Sequence, residues 1–208
     1  SFPQMAEVLS QRAVCQHKLG DYAGSLASND AFLGKHPDHA LAANARFMRA
    51  ENLFLLNRLD EAAVAYGEFG AKHADNSSAQ AANYRLAQIH HDQGRWAECL
   101  AIAGPMLATQ PEGRLYAQLP FLVGDCEFRL EKWPEAIKSL QEFVTPRLES
   151  EKGRAEPNVD TALMQLAVAH DRLDKKAEAL KALATLVNDL PGSSPQLPLA
   201  LAEQGRLA

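Results

Sequence analysis

The densest polar cluster in the sequence is His90–His91–Asp92. Imidazoles and carboxylates ligate metals, but a helix turns about 100° per residue, so adjacent side chains diverge and only i,i+4 pairs converge on one ion. Cys15 and His17, two apart, have the wrong spacing for the same reason. No third ligand lies near either pair in sequence, and metal binding is not expected. The three cysteines, Cys15, Cys99 and Cys126, are odd in number and lack CxxC spacing, which argues against both a disulfide framework and a zinc site. Cys99 and Cys126 read as packing thiols on adjacent elements. There is no Gly-rich phosphate loop, no GxSxG and no HExxH. Acidic residues are scattered as in EKWPEAIKSLQE, the pattern of solvated helix faces rather than of a catalytic dyad. No catalytic residue and no cofactor is therefore expected, and the polar residues are better read as furniture of a binding surface.

The elements that would position such a surface are helices. The 208 residues are 47% apolar, 23% charged and 7% aromatic, a globular composition. Ala and Leu dominate over Val and Ile, which favours helix over sheet. A net charge of −5 disfavours nucleic acid and anionic membranes as partners. No apolar run approaches the roughly 18 residues of a membrane span. The chain begins at Ser1 with no leader pattern and reads as a piece of a longer protein whose targeting signal is gone.

A repeat organises the helices. The turn residues Gly20, Asn57, Gly94, Glu131 and Asp174 are spaced by 37, 37, 37 and 43. Five residues after each stands a small residue: Ser25, Ala62, Cys99, Ala136, Ala179. Seven further stands a large apolar one: Phe32, Phe69, Met106, Phe143, Leu186. Seven before each turn is another small residue: Ala13, Ala50, Ala87, Gly124, Ala167. Small residues at fixed places let helix backbones approach while large ones fill the adjoining grooves.

With Gly20–Tyr22–Ser25–Phe32–Pro37 and Gly94–Trp96–Cys99–Met106–Pro111, the chain resembles the tetratricopeptide repeat family. The last repeat keeps Ala167, Ala179, Leu186 and Pro191. The period is longer than the family's 34, and the usual Trp of the first helix is replaced by Leu9, Arg46, Asn83, Pro120 and Leu163. Phrases such as HPD and the long period are similar to repeats of bacterial cell-envelope proteins, among them the periplasmic Tol–Pal protein and outer-membrane assembly lipoproteins. That narrower resemblance implies a periplasmic or envelope setting, while free cysteines lean towards the cytoplasm.

The resemblance implies an all-α fold: an α-solenoid of five antiparallel helix pairs in a right-handed superhelix. One solenoid is expected over 1–208, with repeats near 4–38, 40–75, 77–112, 114–148 and 158–191 and a capping helix over 195–208. The first (A) helices are expected near 4–18, 40–56, 77–92, 114–130 and 158–172, and the second (B) helices near 22–35, 60–73, 96–109, 134–147 and 176–189. Pro105 should kink or end its helix, Pro120 should kink another, and Glu149–Asp160 should be an exposed loop. Leu197, Leu199 and Leu201 are candidates to cover the last open face.

In the family the A helices line a concave, ligand-facing side. Mapped onto this sequence, those places include Ser10, Val14 and His17 in the first repeat, Asn44 in the second, and Phe47/Phe54, Tyr84/His91 and Phe121/Phe128, each pair two helical turns apart, with Glu51, Asp92, Asp125 and Arg129 beside them. Such a stripe suits a peptide carrying apolar and basic residues; packing between A helices is the competing reading of the same aromatics. The places of the family's carboxylate clamp hold Ser10, Val14, Met48, Ala81 and Arg85, of which only Arg85 fits, so chaperone-tail ligands are not expected. The sequence thus points to a non-enzymatic protein-interaction module, with a self-assembling scaffold or a regulatory part of a larger enzyme or signalling protein as alternatives. The expected partner is a protein or peptide, with no nucleic acid and with a homo-oligomer as an option.

Overall fold

All five turn residues of the sequence period adopt left-handed backbone, and this punctuates the fold. In the computed structural model, which describes residues 4–109, 113–190 and 194–208, φ is +79° at Gly20, +57° at Asn57, +72° at Gly94, +57° at Glu131 and +56° at Asp174. Each ends a helix in the same way. The following N–H reaches back to a carbonyl five residues earlier, and the turn residue's own N–H to one three earlier: Asp21 to Gln16 and Gly20 to His17, Lys132 to Glu127 and Glu131 to Phe128, Lys175 to His170 and Asp174 to Asp171. These paired bonds satisfy carbonyls that a helix end would otherwise leave orphaned. A left-handed residue with a Cβ costs about 1–2 kcal/mol. Glu131→Gly is therefore expected to stabilise the fold by about 1 kcal/mol after Gly's own entropy is deducted. Thermal unfolding followed by circular dichroism should show a midpoint about 2–4 °C higher; an unchanged or lowered midpoint would refute the reading of this turn.

The described residues contain twelve α-helices, one 3₁₀ turn and no strand. The A helices are α1 (Met5–Lys18), α3 (Ala42–Leu55), α5 (Ala79–Asp92), α7 (Leu119–Arg129) and α10 (Val159–Arg172). The B helices are α2 (Tyr22–Lys35), α4 (Leu59–Lys72), α6 (Trp96–Thr109), α8 (Trp133–Leu148) and α11 (Lys176–Asp189). A one-turn helix, α9 (Glu151–Arg154), precedes α10, and α12 (Leu197–Leu207) follows α11. The chain divides into two compact units, residues 1–89 and 90–208.

The small and large places of the period do what their sizes dictate. Ser25, Ala62, Cys99, Ala136 and Ala179 are fully covered, and Phe32, Phe69, Phe143 and Leu186 are at most 1% exposed. At the other small place, Ser25 Oγ donates to the Ala13 carbonyl across α1 and α2 at 2.8 Å. A Cβ on Gly124 would stand 2.8 Å from the Leu140 side chain and 3.1 Å from its backbone nitrogen, so the α7–α8 approach requires glycine there.

Four expectations need correction. Pro105 neither ends nor interrupts α6, which runs on to Thr109. Pro105 and Ala101, whose carbonyl loses its helical partner, are both exposed residues, on the side of the helix where solvent access makes a missing bond least costly. Pro120 is not an interior kink: the helix begins at Leu119, preceded by a 3₁₀ turn at Arg114–Tyr116, so the proline occupies the first turn, where no N–H is needed. The 149–160 loop contains α9, capped by Ser150 Oγ accepting from the Gly153 N–H at 3.0 Å. A Cβ on Gly153 would meet the Arg147 carbonyl oxygen at 2.3 Å. On α12 the covered residues are Ala200 and Leu207, whereas Leu199 and Leu201 stay half exposed, at 50% and 51%. The closing prolines Pro111 and Pro191 lie outside the described residues.

Candidate functional site

In residues 1–89 the inner faces of α1 and α3 frame a cleft of about 430 Å³. Ser10, Val14 and His17 line it from α1, and Asn44, Phe47 and Glu51 from α3. Helical spacing explains why: 10, 14 and 17 share one face of α1, and 44, 47 and 51 one face of α3. Asn29 of α2 and Met48 also line it. Glu51 is held in place from two sides. The Tyr66 hydroxyl of α4 donates to its Oε1, and Arg85 Nε of α5 stands 3.4 Å from the same oxygen. Burial and the neighbouring Glu51 carboxylate push the Tyr66 hydroxyl far above its ordinary pKa, so it remains a donor. Arg85 also lies over the Phe54 ring, 4.8 Å from its centroid. Phe47 packs at a tilt against Tyr66 and Phe69, with centroids 6.3 and 5.5 Å away.

A hydrogen-bond chain fixes His17 at the edge of this cleft. Ser25 donates to Ala13, Asn52 Nδ2 donates to Ser25 Oγ at 2.8 Å, and Asn52 Oδ1 accepts from His17 Nδ1 at 2.7 Å. The order of donors leaves the neutral His17 ring with its proton on Nδ1 and a lone pair on Nε2.

In residues 90–208 the polar centre is Asp125 of α7, only 4% exposed. Its Oδ2 accepts from His91 Nε2 at 2.8 Å. Its Oδ1 accepts from the Gln165 amide of α10 and lies 3.4 Å from Arg129 Nε. His91 Nδ1 is 3.3 Å from Asp92 Oδ1, and its ring meets Trp96 edge-on at 5.2 Å. Arg129 covers Trp96 from 5.5 Å. Burial works against charge on both Asp125 and His91. Hydrogen bonds outweigh it, holding the carboxyl below its usual range and raising the imidazole above its own. His90 behaves differently: burial lowers it, and its Nδ1 is covered without a partner. Both nitrogens of His91 are engaged by carboxylates, and among the described residues no group of three His, Cys, Asp or Glu side chains is arranged to hold a metal ion. Cys99 and Cys126 are free and buried, and they share a sulfur hydrogen bond that, with burial, pushes the Cys126 thiol far up, away from the reactive thiolate.

The residues of the stripe separate by exposure. Tyr84 is 1% and Phe121 9% exposed, so packing occupies both; Phe121 meets Phe143 at 5.3 Å. Asp125 is likewise enclosed. Phe47, Phe54, His91 and Phe128 are half-buried, the last against Trp133 at 5.4 Å. Asp92 and Arg129 are exposed. Sequence reasoning passed over Asn29, Asn52, Tyr66 and Gln165. A signal existed for two of them: Asn29 occupies the place of Leu140 and Leu183, and Asn52 that of Ile89 and Cys126, polar residues where the period elsewhere puts apolar ones.

A family model for the tetratricopeptide repeat matches residues 161–193. Among solved structures, MamA (residues 41 to the end) from Desulfovibrio magneticus RS-1 is 13% identical, with 89% of this chain and 95% of that one aligned at a TM-score of 0.67. The putative kinesin light chain of Podospora anserina, with nearly identical TPR-like repeats, is 14% identical over 99% of each chain, at a TM-score of 0.60. A tetratricopeptide repeat protein from Parabacteroides merdae ATCC 43184 is 15% identical over 98% of this chain and 90% of that one, at a TM-score of 0.62. No curated protein matches the sequence. At these identities the likeness is one of fold. The narrower expectation of Tol–Pal-like envelope repeats finds no support in these comparisons.

Proposed function

We propose that this chain, whose fold is built of tetratricopeptide repeats, is a non-enzymatic scaffold that holds a partner polypeptide on its A-helix faces. The observation that carries the reading is the α1–α3 cleft. Six residues that the family resemblance assigns to ligand-facing places, Ser10, Val14, His17, Asn44, Phe47 and Glu51, line one concavity of about 430 Å³. Small-ligand and peptide sites are concavities of this kind, mostly apolar with a few placed polar groups. Fold alone does not assign a partner, because one scaffold serves unrelated ligands. Within residues 1–89 the half-buried Phe54 belongs to the same proposed surface, and within residues 90–208 the half-buried His91 and Phe128 and the exposed Asp92 and Arg129 form a candidate surface of their own.

The test uses two substitutions that leave packing alone. Ser10→Arg with Asn44→Arg places bulk and charge at the mouth of the cleft, on a half-exposed and an exposed residue. The doubly substituted chain should keep its thermal midpoint, since surface changes of this sort stay within about 0.5 kcal/mol. Proteins captured by the tagged wild type and identified by mass spectrometry should be recovered at least about tenfold less well, the loss of about 1.4 kcal/mol. Val64→Arg, at a residue 63% exposed on α4, serves as the control and should capture normally. Undiminished capture by the cleft variant would refute the groove reading. It would favour instead a scaffold associating through faces such as that of Leu199 and Leu201.

A further inference from the structure

The cleft has a chemical asymmetry that specifies its occupant. In the second repeat Tyr66 and Glu51 fill equivalent places and bond to each other. One period earlier those places hold Asn29 and Val14. The shorter Asn leaves space where Tyr stands in the next repeat, and Val removes the acceptor. Asn29 is 1% exposed, and its Nδ2 is buried without a hydrogen-bond partner. A buried amide donor left unpaired is costly, by about 1–3 kcal/mol, so a ligand that accepts from it has a specific attraction.

The rest of the cleft narrows the choice. Both protein donors to Glu51 land on Oε1, which leaves Oε2 without a described donor. With Nδ1 donating to Asn52, the neutral tautomer of His17 offers the lone pair of Nε2. The open inventory is therefore one buried amide donor group and two acceptors, Glu51 Oε2 and the neutral His17 Nε2, beside the apolar walls of Val14, Phe47 and Met48. A primary carboxamide has the complementary set: a carbonyl for Asn29 Nδ2, and two N–H groups for the acceptors. A carboxylate supplies no N–H and meets Glu51. Lys and Arg supply no acceptor, and an apolar side chain leaves Asn29 unpaired. We propose that the α1–α3 cleft receives a carboxamide side chain, glutamine or asparagine, of a bound polypeptide. This inference rests on the groove reading above.

The probes are N-acetylglutamine N-methylamide and its glutamate, lysine and methionine counterparts, each titrated into the isotope-labelled 208-residue chain and followed by amide NMR. The glutamine compound should move the Asn29 side-chain NH₂ signals and the backbone signals of Val14 and Phe47. It should bind at least about fivefold more tightly than any of the others, the difference made by one hydrogen bond of about 1 kcal/mol. Asn29→Leu, which exchanges the unpaired amide for an apolar group of similar size, should keep the chain folded and abolish the preference. Equal shifts from the glutamine and methionine compounds, or no shift at the cleft from any of the four, would overturn the inference. Its failure is separable from that of the groove reading: loss of capture by the Ser10/Asn44 variant keeps the groove whatever the probes do, and retained capture removes it.

Discussion

Replacing Asp125 by alanine should cost about 3–5 kcal/mol of unfolding free energy, the toll for breaking a buried charge pair by removing one partner. For a chain of this size that lowers the thermal midpoint by about 10 °C. The loss has named sources. Asp125 is 4% exposed and takes hydrogen bonds from His91 of α5 and Gln165 of α10. Without the carboxylate, a half-buried imidazole and a buried amide lose their acceptor at once. Arg129 adds little, because its side chain is 52% exposed and water screens it. The pH dependence has a definite sign. The Asp125 carboxyl is held below its ordinary range, so its contribution is present above about pH 4 and is lost as the pH falls through its depressed value. His91 is raised, so its contribution is full below about pH 6.5 and is lost as the pH rises through its raised value. The pair stabilises most between those limits. Asp92, Arg129 and Cys126 are the other charged or titrating groups near it. His90 and His170 are lowered by burial and pull the other way, losing stability as the pH falls. The diagnostic quantity is therefore the difference between wild type and Asp125→Ala in urea unfolding from pH 3 to 9. A difference that does not peak in the mildly acidic range would show that the pair is not coupled as described.

The same centre shows how far the sequence could be read. The repeat was legible because it is written in side-chain volume, which acts locally. A residue that must be small to let α7 approach α8 is small whatever surrounds it, and Gly124 against Leu140 is that constraint at its tightest. The five turns were legible as a period, although only two of them hold glycine. Partnerships were not legible. Asp125 looked like an acidic neighbour of a surface stripe; it is enclosed because Gln165 and His91 reach it from helices 40 and 34 residues away, a geometry no local pattern encodes. Tyr84 and Phe121 carried the spacing of a displayed face and are covered, since that spacing serves packing between helices equally well. Pro105 misled for a different reason. A proline's penalty depends on whether water can reach the carbonyl it deprives, and burial is not written in the residue itself. The cleft was half legible: the pattern named six of its walls and was silent on Asn29, whose importance lies in what it lacks, a partner.

Phe143→Ala should be the most damaging apolar truncation in residues 90–208, at about 3–5 kcal/mol, the usual range for a buried phenylalanine. The large place of the repeat tolerates different residues, Met106 in the third and Leu186 in the fifth, so position alone does not set the cost. What distinguishes Phe143 is that other groups rest on it. It is fully covered, it meets Phe121 of α7 at 5.3 Å, and the Arg147 guanidinium lies 3.9 Å above its ring. Arg147 in turn donates to the Ala117 carbonyl before α7 at 2.8 Å and pairs with Glu156 beyond α9 at 2.9 Å. The ring is thus the platform for an arginine that ties both irregular segments, the 3₁₀ turn and the longest inter-repeat connection, to α8. Truncation opens a cavity and removes the platform together. Phe143→Leu keeps most of the volume and should cost clearly less, by about 2 kcal/mol or more, leaving the cation–ring contact as the main loss. Hydrogen exchange locates the damage: in Phe143→Ala the amides of Gly153 and Arg154, held by bonds to Ser150, should lose protection along with the α8 core. If both variants destabilise equally, or if α9 keeps its protection in the alanine variant, the ring supports only the core and the tether through Arg147 is independent of it.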